Sequence, residues 1–451
     1  MKVSSFARCS LAFAVVGFAV AACSSGGSQV TPSANSGIVS EQQAAQERTS
    51  FDPASTAVNW SQTYFNSAHS GFNAKETTIS TSNVANLKSL WGQAVTGGVT
   101  GFALDNGTIF AQGGNSSGPP VLVAVNAATG NASWTTTTGD DGYSLNGTVA
   151  TGGNDVYAGC GTTATGHPGG VCAFGKLSGK QLWAYIPDCK CPLNGAVESP
   201  LVYSNGVVYY GASGFPGQSD PYIVALNAKN GTPIWSYDGG PGALGNAALA
   251  VTNGRVFFDC VTAGNNQGLC AVAQSGGSLL WHATTGNNTT AFSIGGSVLY
   301  ASNSQNSVIA INASTGAGIW SSAAAIGKSA FPPAVANGAV YVAGNTTLSA
   351  LKATNGKSLW SDTLSCAPGS SPSVADGVVY VYQGGNNCPA VSAFNANTGA
   401  LLSSITTSAA SFGVSPVVAN GTLYVADGAC GSLCAYVPQA FGQRLPTNLS
   451  R

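Results

Sequence analysis

The chain has 451 residues, of which 15 are Lys or Arg and 16 are Asp or Glu, so only 7% are charged against roughly a quarter in an average soluble domain. No basic patch exists to displace counterions from phosphates, which excludes nucleic acid as a partner. The 60 glycines, with abundant Ser, Thr and Asn, disfavour long helices and favour many strands joined by tight turns.

Lys2 and Arg8 open the chain, and an apolar run from Leu11 to Ala22 follows. The run has the length of a signal h-region and is too short to span a bilayer comfortably. It ends in Val20-Ala21-Ala22-Cys23, which resembles a bacterial lipobox. The resemblance implies cleavage before Cys23 and diacylglycerol on its thiol, so residues 1–22 read as a signal peptide and Cys9 is lost with it. Residues 23–57 are Ser, Gly, Gln, Ala and Thr without a hydrophobic period, which predicts a flexible tether. Losing Lys2 and Arg8 leaves 13 basic against 16 acidic residues. Charge therefore adds little to membrane attachment, and the lipid must hold the mature chain there.

From residue 58 the chain repeats itself. The segment Ala124-Val-Asn126-Ala-Ala-Thr129-Gly130-Asn-Ala-Ser-Trp134 recurs, with its tryptophan at Trp91, Trp134, Trp183, Trp235, Trp281, Trp320 and Trp360. Ser403 stands where the next is expected. An alanine lies ten residues earlier each time from Trp134 onward, at Ala124, Ala173, Ala225, Ala271, Ala310, Ala350 and Ala393, and Ala435 has no Trp after it.

One unit shows the strands. Pro372 to Ala375 is a short strand ending at the turn signal Asp376-Gly377. Val378 to Tyr382 is β-branched and aromatic, Gly384 to Cys388 is a loop, and Ala390 to Phe394 is a third strand. Asn395 to Gly399 is a turn, and a fourth strand begins at Leu401. Four antiparallel strands, radially repeated, make an all-β propeller. The last unit supplies Val414–Ala419, Thr422–Ala426 and Leu433–Val437 but no fourth strand, whereas Leu87–Trp91 is a fourth strand without its first three. Joined, they make an eighth blade and remove an exposed sheet edge. The tryptophans read as packing groups between blades, with the alanine leaving room for a ring, rather than as a cofactor box. Residues 58–437 are thus the propeller and 438–451 a tail.

The pattern Ala-x-Asn-x-x-Thr-Gly-x-x-x-Trp resembles the docking repeat of quinoprotein-like (PQQ-like) propellers, and Asn59-Trp60 to Asn83-Val84-x-x-Leu87-x-x-x-Trp91 is similar to the start of those proteins. The resemblance implies one of two activities. One branch holds pyrroloquinoline quinone (PQQ) and Ca²⁺ at the axis and oxidises alcohols or sugars. The other, typified by BamB, consists of lipoproteins that bind proteins without catalysis. The dehydrogenase branch needs hard oxygen ligands, a catalytic carboxylate and a base over the quinone. Where it carries Ser-Gly-x-Glu before an arginine, this chain has Ser213-Gly214-Phe215 and no arginine; its adjacent-cysteine pair is absent, with Cys189-Lys-Cys191 the nearest feature. Glu198, Arg255 and Asp259 read as hydrogen-bonded or rim residues. His69, His167 and His282 show no metal-ligand spacing. The sequence therefore predicts no catalytic residue, metal or cofactor, with PQQ and Ca²⁺ belonging only to the alternative.

Ten cysteines remain after Cys9 and Cys23. Their register with the repeat predicts disulfides Cys160–Cys172, Cys260–Cys270 and Cys430–Cys434, with Cys366–Cys388 a fourth. Cys189 and Cys191 are left as either a strained bridge or a redox-active or partner-linking dithiol. The expectation is a lipid-anchored, exported binding module facing periplasm or exterior, whose partner is an envelope protein. The alternatives are a divergent PQQ dehydrogenase and a saccharide- or cell-wall-binding propeller.

Overall fold

The computed structural model describes residues 58–439 except the connections 115–118, 140–148, 162–169, 187–198, 213–221, 239–248, 263–265, 286–288, 304–306, 323–330, 384–387 and 407–412. Cys23 with the signal and tether, His167, Cys189, Cys191, Glu198, Phe215 and residues 440–451 lie outside the described residues.

Eight sheets of four antiparallel strands form the propeller, one of them extended by a short fifth strand, Phe72–Asn73. We number the blades in chain order from inner strand Val99–Asp105 (blade 1) to Val417–Ala419 (blade 8). In blade 7 the strands are Ser373–Ala375, Val378–Tyr382, Pro389–Asn395 and Leu401–Thr406, as the repeat predicted to within a few residues. Blade 8 takes its outer strand, Leu87–Ala94, from the other end of the chain, antiparallel to Ser432–Pro438.

The repeat makes a sandwich of rings. Each regular alanine except Ala393, which faces Ser403, lies opposite the docking tryptophan on one side and an aromatic on the other: Ala173 faces Trp183 and Tyr157, and Ala350 faces Trp360 and Tyr341. With no side chain beyond Cβ between them, the two rings approach to centroid distances of 5.9 and 6.0 Å. Ala435 has its tryptophan after all: it is Trp91.

Each indole also reaches the next blade. Trp91, Trp183 and Trp281 donate from Nε1 to the carbonyls of Ala127, Ala228 and Ala313 at 2.9–3.1 Å. The ring packs on the glycine of the following blade's third-to-fourth-strand turn. At Gly277, with φ of 69°, a Cβ would come within 2.6 Å of Trp235, so only glycine satisfies both backbone and neighbour.

This geometry explains Ser403. A tryptophan there would dock on the turn joining the third and fourth strands of blade 8. Those strands come from opposite ends of the chain, so no such turn exists. The short 3₁₀ turn Val84–Asn86 and Leu87 take the space, leaving a cleft lined by Val84, Leu87, Tyr380, Ser403 and Leu423. Tyr380, whose counterparts Tyr157 and Tyr341 bond to the next blade, has a buried hydroxyl with no partner.

Candidate functional site

Strand direction divides the ring into two ends. At one end lie the turns joining first to second and third to fourth strands. At the other lie the second-to-third connections and the links between blades.

The lead-in segment closes the first end, and does so mainly through backbone. Trp60 exchanges both hydrogen bonds with Leu104 of blade 1. The carbonyls of Ser61, Ser67, Ala68, Ser70 and Gly71 then accept from Thr151, Val251, Ile294, Val335 and Val374, the inner strands of blades 2, 4, 5, 6 and 7, at 2.6–2.9 Å. Side chains serve the other two. Gln62 Oε1 accepts from Tyr203 N–H of blade 3 at 2.9 Å, and Asn73 Nδ2 donates to the Val418 carbonyl of blade 8 at 2.8 Å. One stretch of chain thus visits all eight inner strands, whose axial backbone groups have no further strand of the blade to pair with. The tight course forces Tyr64, Phe65 and His69 into left-handed φ of 61°, 86° and 56°.

His69 is the polar centre of this plug. It is 0% exposed, packs edge-to-face on Tyr64 at 5.2 Å, and neither ring nitrogen has a hydrogen-bond partner. Burial lowers its pKa to about 3, so the imidazole is neutral at physiological pH. Burial also raises the Tyr64 phenol, which lies beside Ser371. Glu76 is buried too, but its carboxylate accepts from the N–H groups of Thr78, Ile79 and Gly421. Off the axis, Lys176 and Asp105 form a buried ion pair; Asn59 Nδ2 bonds the same carboxylate at 2.6 Å, and Lys176 donates to the Gly153 carbonyl at 2.6 Å.

The other charged residues singled out in the sequence do not converge. Arg255 and Asp259 sit four positions apart on the second strand of blade 4, about 13 Å along it. Arg255 donates to the Asn253 carbonyl at 3.0 Å. Asp259 has one carboxylate oxygen buried without a partner, and desolvation raises its pKa well above the carboxylate range. Among the described residues, the Tyr64 phenol, Ser371 and the neutral imidazole of His69 meet in the plug. Ca²⁺ calls for hard, mostly anionic oxygen ligands, and PQQ carries carboxylates that call for cations. Tyr64, Ser371 and His69 do not supply those groups.

The second end is the disulfide end. Cys160–Cys172, Cys260–Cys270, Cys366–Cys388 and Cys430–Cys434 are all formed, with Cα separations of 5.7–6.0 Å. Each ties a second-to-third connection or a link between blades at that end. Cys189 and Cys191 fall, by sequence, in the link from blade 2 to blade 3. Spacing concealed one further cluster: His282 lies beside the Cys260–Cys270 pair. No pattern along the chain reports it, because its members sit on three strands. Among the described residues no helix is long and apolar enough to cross a membrane.

Similarities to known proteins agree with this architecture. A family model described as outer membrane protein assembly factor BamB matches residues 49–322 and 304–440. Among solved structures, quinohemoprotein alcohol dehydrogenase from Comamonas testosteroni superposes with a TM-score of 0.64 at 15% identity, over 90% of this chain and 86% of that one. Quinohemoprotein alcohol dehydrogenase ADHIIG from Pseudomonas putida HK5 gives 0.65 at 14%, over 92% and 84%. BamB from Moraxella catarrhalis gives 0.58 at 16%, over 78% of this chain and 98% of its own. At such identities these likenesses show the fold alone, and no curated protein sequence matches. With the family model matching nearly all of the propeller and the docking repeat in register around the ring, the chain belongs to the BamB family of PQQ-like β-propellers.

Proposed function

We propose that the protein is a non-catalytic binding module of the cell envelope, held by lipid on Cys23 and presenting the disulfide end of its ring to an envelope protein. The observation that carries this is the position of residue 58. Its N–H and C=O bond the side chain of Asn420, in a first-to-second-strand turn of blade 8, at 2.8 and 3.0 Å. The tether therefore leaves from the closed end. An anchored ring then turns its plug toward the membrane and its disulfide-tied connections away from it. Four disulfides support an oxidising, extracytoplasmic address. The stretch Ser213-Gly214-Phe215, which lacks the glutamate and arginine of the dehydrogenase branch, supports binding over dehydrogenation.

Thermal unfolding with and without PQQ plus Ca²⁺ tests the reading. The expected result is no shift. A ligand at 100 times its Kd would add about 2.7 kcal/mol, and a rise of that order would replace the proposal with a dehydrogenase. Cys23→Ser is expected to move the protein from the detergent phase to the aqueous phase on cloud-point partition. Partition unchanged by that substitution would remove the lipid anchor.

A further inference from the structure

The residue after the docking tryptophan is small in the other blades, as at Gly92, Ala184, Ser236 and Ser361, and is an imidazole in blade 4 alone, at His282. Blade 2 supplies an internal comparison. There Cys160 pairs with Gly170, and Cys172 pairs with Ala158 on one side and Ala184 on the other. In blade 4 Cys260 pairs with Gly268, and Cys270 pairs with Phe258 on one side and His282 on the other. The two disulfides have the same register, and the outer-strand partner is what differs.

The imidazole is turned toward the sulfurs. A Cβ on Gly268, the residue opposite Cys260, would lie 2.0 Å from the Ala283 carbonyl oxygen and 3.0 Å from His282 Nε2, so the imidazole borders the space that glycine leaves beside the disulfide. One nitrogen of His282 and both sulfurs lie within 4.8 Å of one another. Cys260 and Cys270 are 3% and 1% exposed, and His282 is half-buried beside them.

We propose that Cys260, Cys270 and His282 form a redox-gated site for a zinc-class divalent cation, shut as the disulfide and opened by a dithiol reductant. The balance is simple. A dithiol gives two electrons and two protons to the S–S bond and leaves as its own disulfide, and two thiols result. The cation then displaces both thiol protons to the solvent, and the neutral imidazole binds through its lone pair. Two thiolates and one imidazole suit a borderline-soft ion, with water in the fourth tetrahedral position. Zinc–sulfur bonds of about 2.3 Å place the two sulfurs about 3.8 Å apart. Side-chain rotation can reach that separation from backbones 5.8 Å apart at Cα.

Cobalt(II) is the probe. The purified full chain is reduced with a phosphine under argon, desalted and titrated with Co²⁺. The expected result is one equivalent bound, with the thiolate-to-cobalt absorption of a tetrahedral site, discharged by Zn²⁺. Unreduced protein gives no such band. His282→Ala should weaken binding tenfold or more, and C260S/C270S should abolish the band. C160S/C172S, which loses the matching disulfide of blade 2, should keep it, and so controls for any general loosening of the fold. The proposal is overturned if the reduced chain takes up no cobalt, if the band persists in C260S/C270S, or if His282→Ala binds as tightly as the parent.

Discussion

Acid should weaken this propeller through one side chain. His69 is fully buried with both nitrogens unpartnered, and its pKa falls from 6.5 to about 3. A histidine with a depressed folded pKa leaves stability intact above its unfolded value. That stability is lost as pH falls from about 6.5 toward 3, because the unfolded chain takes up a proton that the folded chain refuses. For these two values the loss is about 1.4 kcal/mol at pH 5.5 and about 2.7 kcal/mol at pH 4.5. The perturbation is His69→Asn, which removes the titration and keeps a residue tolerant of the left-handed φ of 56°. The assay is urea unfolding followed by tryptophan fluorescence at pH 7.5, 5.5 and 4.5. Other titrating groups are common to both proteins and cancel in the difference. The stability gap between parent and variant should shift by about 2.7 kcal/mol in the variant's favour between pH 7.5 and 4.5. Parallel pH profiles would refute the account, since they would mean that His69 is solvated or finds a partner when protonated.

Three further outcomes are expected. Asp259→Asn should stabilise the protein at pH 7 and not at pH 3, because a carboxyl raised by burial loses stability as pH climbs from its unfolded value; each unit of the raise corresponds to about 1.4 kcal/mol, read from urea midpoints at the two pH values. Gly277→Ala should destabilise by about 2–4 kcal/mol, combining a left-handed alanine with a Cβ pressed on Trp235, and chemical denaturation would show a midpoint shift with an unchanged slope. Tyr380→Phe should be neutral or stabilising by about 1 kcal/mol, since it deletes a buried hydroxyl that bonds to nothing, whereas Tyr341→Phe, whose hydroxyl bonds the Ala396 carbonyl at 3.2 Å, should lose about that much in the same melts.

What could be read in advance was whatever repeats. The tryptophan register set the blade number and the composite eighth blade, because a packing contact made once per blade leaves a period in the chain. Three of the four disulfides followed from the same register, since Cys172, Cys270 and Cys434 each precede the alanine that fixes their place on the third strand. The plug left no such trace. Residues 58–73 meet the inner strands chiefly through backbone carbonyls, and a carbonyl is the same on every residue. The burial of His69 was hidden for the same reason, its surroundings being supplied by distant parts of the chain. Ser403 stood out as a break in the pattern, and only the absent turn of blade 8 gives it a cause.

The lead-in stretch also sets a schedule. Val58 bonds Asn420 across 362 positions, Asn73 reaches Val418 across 345, and Leu87 to Ala94 pair with the strand ending at Pro438. The first part of the ring to be synthesised is thus the last to complete its contacts, although Trp60 and Ser61 can meet Leu104 and Thr151 early. Until residue 438 is available, the opening segment has no complete ring to enter, and inner strands keep axial backbone groups unmatched. Such long-range closure makes assembly slow and leaves strand edges open in the interval. A chain built this way depends on its surroundings while it waits, and a truncation that removes Leu87–Ala94 or Ser432–Pro438 should hold it in that unclosed condition.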